Sequence, residues 1–122
     1  MSIFSEFNVQ RPYAVWEGIN ARVINGERIT MALVDLEPNK PVQEHHHPNE
    51  QLGFVLQGDM TFTIGGETRT LRPGDTYSIP GDVPHSAVTG PNGCVVIDVF
   101  NPVRADWERL ERLEPSPSAW RP

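Results

Sequence analysis

Cysteine is nearly absent from this chain. A single thiol, Cys94, among 122 residues leaves no partner for an internal disulfide, so packing or a bound group must hold the fold together. Basic residues are also scarce, ten Lys and Arg against sixteen Asp and Glu, for a net charge of -6. No basic stripe runs through the sequence, which argues against nucleic acid as a partner. The same acidic balance disfavours an anionic membrane surface. It leaves room for an anionic small molecule, because one arginine or metal ion can dominate the field inside a pocket. Long apolar runs are missing too, and none approaches the roughly 18 residues of a membrane-spanning helix. The opening stretch, MSIFSEFNVQRPYAVW, lacks the basic segment and apolar core of a secretory signal. These absences lead to an expected cytoplasmic protein with no membrane partner.

What is present is punctuation. Twelve prolines and ten glycines interrupt a chain that is 38% hydrophobic, the mixture of many short strands joined by tight turns. Its length suits one domain with one core. Val23 and Ile24 run into Asn25-Gly26, a strong turn signal, and Ile29, Met31 and Leu33 alternate after it. Met60, Phe62 and Ile64 alternate before Gly65-Gly66, and Arg72-Pro73-Gly74-Asp75 has the form of a turn. Cys94 to Phe100 is the most apolar strand. Asn101-Pro102 has the form of a helix cap and first-turn proline, and Trp107, Leu110 and Leu113 follow at helical spacing. The expected organisation is an N-terminal arm and edge strand over 1–20, a jelly roll or barrel over 21–101, a short C-terminal helix over 102–114 and a loose tail over 115–122.

The segment EHHHPNEQLGFVLQG carries the chemistry. Strand side chains repeat every second residue, so His45 and His47 share a face while His46 points away. Continuing that parity brings Gln51 inward and leaves Glu50 outside, unless Pro48 shifts the register. His85 follows the turn Pro80-Gly81-Asp82-Val83-Pro84 and belongs to a different wall. Three neutral imidazoles and an amide oxygen would hold one divalent transition metal ion, with Mn, Fe, Ni, Zn and Cu all suited to such donors. With no ligand charge to offset it, the ion would be a strong Lewis acid.

At these residues the sequence resembles the cupin superfamily. His45 and His47 match the two histidines of its first motif, Gln51 stands at the acid position, and Gly58 is the closing glycine. Asn39 stands where a glycine usually precedes the histidines. Gly66, Pro73, Gly74 and His85 match the second motif, with Thr89 where an asparagine often sits. The resemblance implies an all-β, double-stranded β-helix, a cupin jelly-roll barrel that is usually dimeric, with one metal ion inside. HHHPNEQLGFVLQG, FTIGGET, PGDTYSIPGDVPH and IDVFNPVRADW further resemble the small pectin-degradation cupins, which linearise 4,5-unsaturated uronates. In that group a glutamine takes the fourth metal position, and its Asp, Phe and Arg downstream of the last histidine fall on Asp98, Phe100 and Arg104.

Asp98 also stands out on its own, because it interrupts the apolar run CVVIDVF. A carboxylate on an inward face is costly unless paired, hydrogen-bonded or near a metal. Both faces of that strand are apolar, so parity alone does not choose between an interior and an exterior Asp98. Inside, burial would lift its pKa toward a useful acid–base range. Arg104 at the rim would grip a substrate carboxylate or be a solvated charge. Phe100 would supply an apolar wall, and Tyr77 and Arg22 are further pocket candidates. The resulting reading is an isomerase-like enzyme that opens or tautomerises a small cyclic sugar acid, working as a homodimer. The alternatives are an Fe- or Cu-dependent dioxygenase of an enolic or aromatic compound, and a non-catalytic cupin that binds a metal or small ligand.

Overall fold

The computed structural model describes residues 3–122. Eight strands are found among them: β1 (Tyr13–Trp16), β2 (Ile19–Asn25), β3 (Thr30–Leu36), β4 (Pro41–His45), β5 (Glu50–Ile64), β6 (Glu67–Leu71), β7 (Thr76–Ile79) and β8 (His85–Asn101). All pairings are antiparallel. The signal at Asn25-Gly26 does make a hairpin: Asn25 lies opposite Thr30, and the Gly26 N–H donates to the Ile29 carbonyl at 2.8 Å.

Two long strands organise everything else. β5 and β8 pair along their whole length, with irregularities at Val55/Gln57 and Gly58/Met60. There the pair turns a corner. One half of it continues into β3, β2 and β1 on one side and β7 on the other; the second half carries β4 and β6. The extra residues also switch the inward parity of β5, from Gln51, Gly53 and Val55 before the corner to Met60 and Phe62 after it. Gly58 takes φ +74 at this point, and a Cβ there would collide with the Gly93 carbonyl of the adjoining strand. Between the two layers lies the core, including Ala21, Val34, Val55, Met60, Ile79 and Val96. Each large aliphatic side chain buried there stabilises the fold by about 1.5–3 kcal/mol.

Two expectations need correction. Among the described residues the jelly roll does not close into a barrel: β4, β6 and β7 each have a single strand partner and remain edges, and β1 has β2 on one side and only an isolated bridge, Tyr13 opposite Arg112, on the other. β1 has only four residues and a register shift, and β4 is also irregular before His45. These two edges approach through side chains, with the Trp16 and His45 rings 4.7 Å apart, and not through a hydrogen-bonded ladder. The C-terminal helix is likewise absent. Asn101 is the last residue of β8 and caps nothing, and only a 3-10 turn forms at Ala105–Arg109. The following backbone is recruited by β1: Ala14 donates to the Glu111 carbonyl and Leu113 donates to that of Pro12. An edge strand with unpaired groups outcompeted a helix that could bury only one stripe.

Residues 115–122, read from sequence as a loose tail, run along the outer face of the sheet. Ser118 donates to Asp35, and Gln57 holds the tail at Ala119 and Arg121. No helix of the described residues is long and apolar enough to cross a membrane.

Candidate metal centre

The end of β4, the start of β5 and the start of β8 bring His45, His47, Gln51 and His85 to one place. Ligand atoms of the three histidines all lie within 4.8 Å of one another. Each imidazole is aimed by a backbone carbonyl: Nδ1 of His45 bonds Gln43 at 2.8 Å, that of His47 bonds Asn49 at 3.0 Å, and that of His85 bonds Val83 at 2.8 Å. A carbonyl only accepts, so the proton sits on Nδ1 and each Nε2 is left with its lone pair. Burial, the largest cause, lowers the pKa of all three, His85 to about 4, so the rings are neutral near pH 7.

Gln51 lies beside the three histidines. Its amide hydrogen-bonds Asp98, and its Oε1 lies 3.1 Å from Nε2 of His47. With the His47 proton on Nδ1, these two atoms are both acceptors. Two lone pairs held face to face in a buried site are what a shared cation requires, and the residues therefore fit a divalent metal. His46, by contrast, is exposed and 3.5 Å from Asp82, and Glu50 faces outward.

The histidines open onto a cavity of about 320 Å³ whose walls include Trp16, Met60, Phe62, Tyr77, Asp98, Phe100 and Arg104. That volume suits a small-molecule ligand. Asp98 is buried on the inward face and accepts a 2.5 Å hydrogen bond from the Tyr77 hydroxyl. Burial lifts its pKa from 3.8 to about 6, against the smaller opposing pull of Tyr77, Gln51 and Arg104. Tyr77 is pushed well above its ordinary value, first by burial and then by the Asp98 charge, so it stays a neutral donor. Gly53 makes room for it, because a Cβ there would fall within the Tyr77 ring. The Phe100 ring lies edge-on to His47, 5.8 Å between centroids.

Two sequence candidates sit differently from expectation. Arg22 is buried but is not among the cavity walls. It points to the outer face, where Asp35 at 2.6 Å and the Ser116 carbonyl hold it. Arg104 does line the cavity, yet its Nε and Nη2 already grip Asp106, each at 3.0 Å. Those bonds, more than any other cause, hold the Asp106 carboxyl below the usual range. Cys94 is buried and pushed up to about 12, chiefly by burial, which makes it a poor nucleophile.

Sequence reading missed three functional neighbours. Asn49 is buried, bonds the Pro102 carbonyl at 2.6 Å, and offers its own carbonyl to His47, tying a ligand to the segment that carries Arg104. Its place between Pro48 and Gln51 was the available signal. Trp16, beside His45, and Asp106 carried no local pattern that marked them.

A jelly-roll sheet with a cluster of metal donors at its open side defines the class, and residues 32–100 match the family model described as the cupin domain. The chain belongs to the cupin family. Among its relatives is the pectin degradation protein KdgF of Dickeya dadantii (strain 3937), 31% identical over 93 residues, which are 75% of this chain and 84% of that protein. The solved structure of KdgF from Halomonas sp. superimposes with a TM-score of 0.75 at 28% identity, over 84% of this chain and 98% of that one. An RmlC-like cupin from Shewanella frigidimarina NCIMB 400 gives 0.80 over 88% and 96%, and at 23% identity it speaks to the fold alone.

Proposed function

We propose that this cupin is a metal-dependent isomerase that opens and tautomerises a small cyclic sugar acid such as a 4,5-unsaturated uronate. The observation that carries the reading is the shared wall of the cavity. The Nε2 donors, Gln51 and the Asp98–Tyr77 pair all face the same space, and the relationship to KdgF supplies the substrate class. His45, His47, His85 and Gln51 would hold the ion, which when bound supplies positive charge to stabilise oxyanion character on the substrate.

The proton steps belong to Asp98. Burial raises its pKa to about 6 in the metal-free fold, and its carboxylate takes the proton of the substrate's hemiacetal hydroxyl while the bond from the anomeric carbon to the ring oxygen breaks. An aldehyde forms, and the ring oxygen leaves as an enolate oxygen. Asp98 then returns the same proton to the former alkene carbon, giving the open 5-keto acid with no net loss or gain of atoms. Tyr77 holds Asp98 in place, Phe100 provides an apolar wall, and Arg104 attracts the substrate carboxylate.

The test is a reaction of metal-quantified protein with 4,5-unsaturated galacturonate, following loss of the conjugated absorbance while dissolved oxygen is recorded. Accelerated loss without oxygen uptake, abolished in His47→Ala, supports the reading. No acceleration by fully loaded protein rejects it, and oxygen consumption would replace it with a dioxygenase.

A homodimer is part of the proposal. On the outer face, register sets Met31 beside Val99 and Val99 beside Leu52, with Ile97 and Phe54 in the next row. Leu52 and Phe54 are 52% and 42% exposed, a field of apolar side chains that a second copy would cover. A sedimentation mass of one chain at micromolar concentration would refute this. A dimer split by Leu52→Lys with Phe54→Lys would support it.

A further inference from the structure

Arg104 is anchored on several sides. Its guanidinium carbon lies 4.7 Å from the centroid of Phe100 and 4.5 Å from that of Trp107, its backbone N–H donates to Thr30 at 2.9 Å, and its side chain is 9% exposed. Asp106, two residues on, is the exposed half of the pair, with 60% of its side chain open to solvent. Both oxygens of Asp106 receive parallel N–H bonds from Arg104, at 3.0 Å each. This is the two-pronged geometry that an arginine offers any carboxylate, and both residues line the cavity with the metal donors.

We infer that Asp106 is a specificity-determining residue: an internal carboxylate that occupies the anion subsite on Arg104 until a substrate carboxylate displaces it. The inference rests on the proposed reading that the substrate is a sugar acid. The fixed arginine stays in place when the exchange occurs, and the exposed aspartate swings into water, where it is readily solvated. The pocket therefore never presents a bare buried guanidinium. A ligand without a carboxylate cannot make the exchange and gains nothing from Arg104. A ligand with one must outcompete an ion pair whose carboxylate half is exposed, a modest barrier. Removing the competitor should tighten carboxylate binding by up to about fivefold, the factor that such a pair corresponds to.

Isothermal titration of metal-quantified protein with galacturonate and with its methyl ester tests this without any turnover. Asp106→Ala and Asp106→Asn should both tighten galacturonate by about two- to fivefold and leave the neutral ester unchanged, and the gain should vanish when Arg104→Ala is added. Weaker galacturonate binding in both variants, equal tightening of acid and ester, or no galacturonate binding by any form would overturn the inference. Failure to turn over unsaturated galacturonate with the acid-selective gain intact would remove only the reaction. Turnover by a wild-type protein whose acid preference ignores Asp106 would remove only the displacement.

Discussion

Replacing Asp98 by asparagine isolates the cost of the buried carboxylate. In the metal-free fold its pKa rises from 3.8 to about 6, mainly through burial, and at about 1.4 kcal/mol for each pH unit this amounts to roughly 3 kcal/mol. The sign follows from linkage. The native state holds the proton more tightly than the unfolded chain, so the stabilising contribution is complete below about pH 3.8 and is lost as pH rises through about 6. The asparagine variant does not ionise and escapes that loss. Relative to wild type, it should gain roughly 2–3 kcal/mol between pH 4 and pH 7.5, on the order of 10 °C in Tm for a domain of this size. Any fixed cost of altering the bonds from Tyr77 and Gln51 cancels in the comparison of the two pH values, as do the histidines. Urea unfolding of chelator-treated wild type and variant at both pH values gives the number. An equal stability difference at pH 4 and pH 7.5 would mean that Asp98 titrates as an ordinary carboxylate, and the proton relay would lose its basis.

Other consequences are equally direct. The three histidines have pKa values lowered by burial, His85 to about 4, so the metal-free fold should lose stability as pH falls from about 6.5 toward 4, where the unfolded chain takes up protons that the native rings refuse. His85→Gln should flatten that slope in urea titrations, and an unchanged slope would contradict the burial of the ring. Gly53→Ala places a methyl group within the Tyr77 ring and should cost about 1–3 kcal/mol of stability through overpacking. The same variant should slow uronate turnover by displacing Tyr77 from Asp98, and wild-type stability and rate together would show that Tyr77 is not confined as described.

The sequence disclosed the site more readily than the frame around it. Parity put His45 and His47 together, and the same count brought Gln51 inward although residues 46–49 form a connection between β4 and β5 and not a continuous strand. The imidazoles converge without a continuous strand because the carbonyls of Gln43, Asn49 and Val83 aim them. Asp98 was undecided by parity because both faces of β8 are apolar. On the outer face of its second half Val95 is buried beside a tail held at Asp35 and Gln57, while Ile97 and Val99 are left half-buried, which no local pattern encodes. The spacing of Trp107, Leu110 and Leu113 read as a helix, but of the three only Trp107 is buried and the next residues give their hydrogen bonds to β1. Arg22 was misjudged for the same reason: its partners, Asp35 and Ser116, lie 13 and 94 residues away. Long-range edge pairing and a returning tail decided each case where local spacing failed.

Metal stoichiometry tests the central claim most directly. Chelator-treated protein is incubated separately with Mn, Fe, Ni, Zn and Cu, dialysed, and assayed by elemental analysis, beside His47→Ala, His85→Ala and Gln51→Ala variants whose fold is checked by circular dichroism. One ion per folded wild-type chain, lost in both histidine variants and weakened in Gln51→Ala, is the expected result. Folded wild-type protein that retains no ion, or histidine variants that retain a full equivalent, would contradict it.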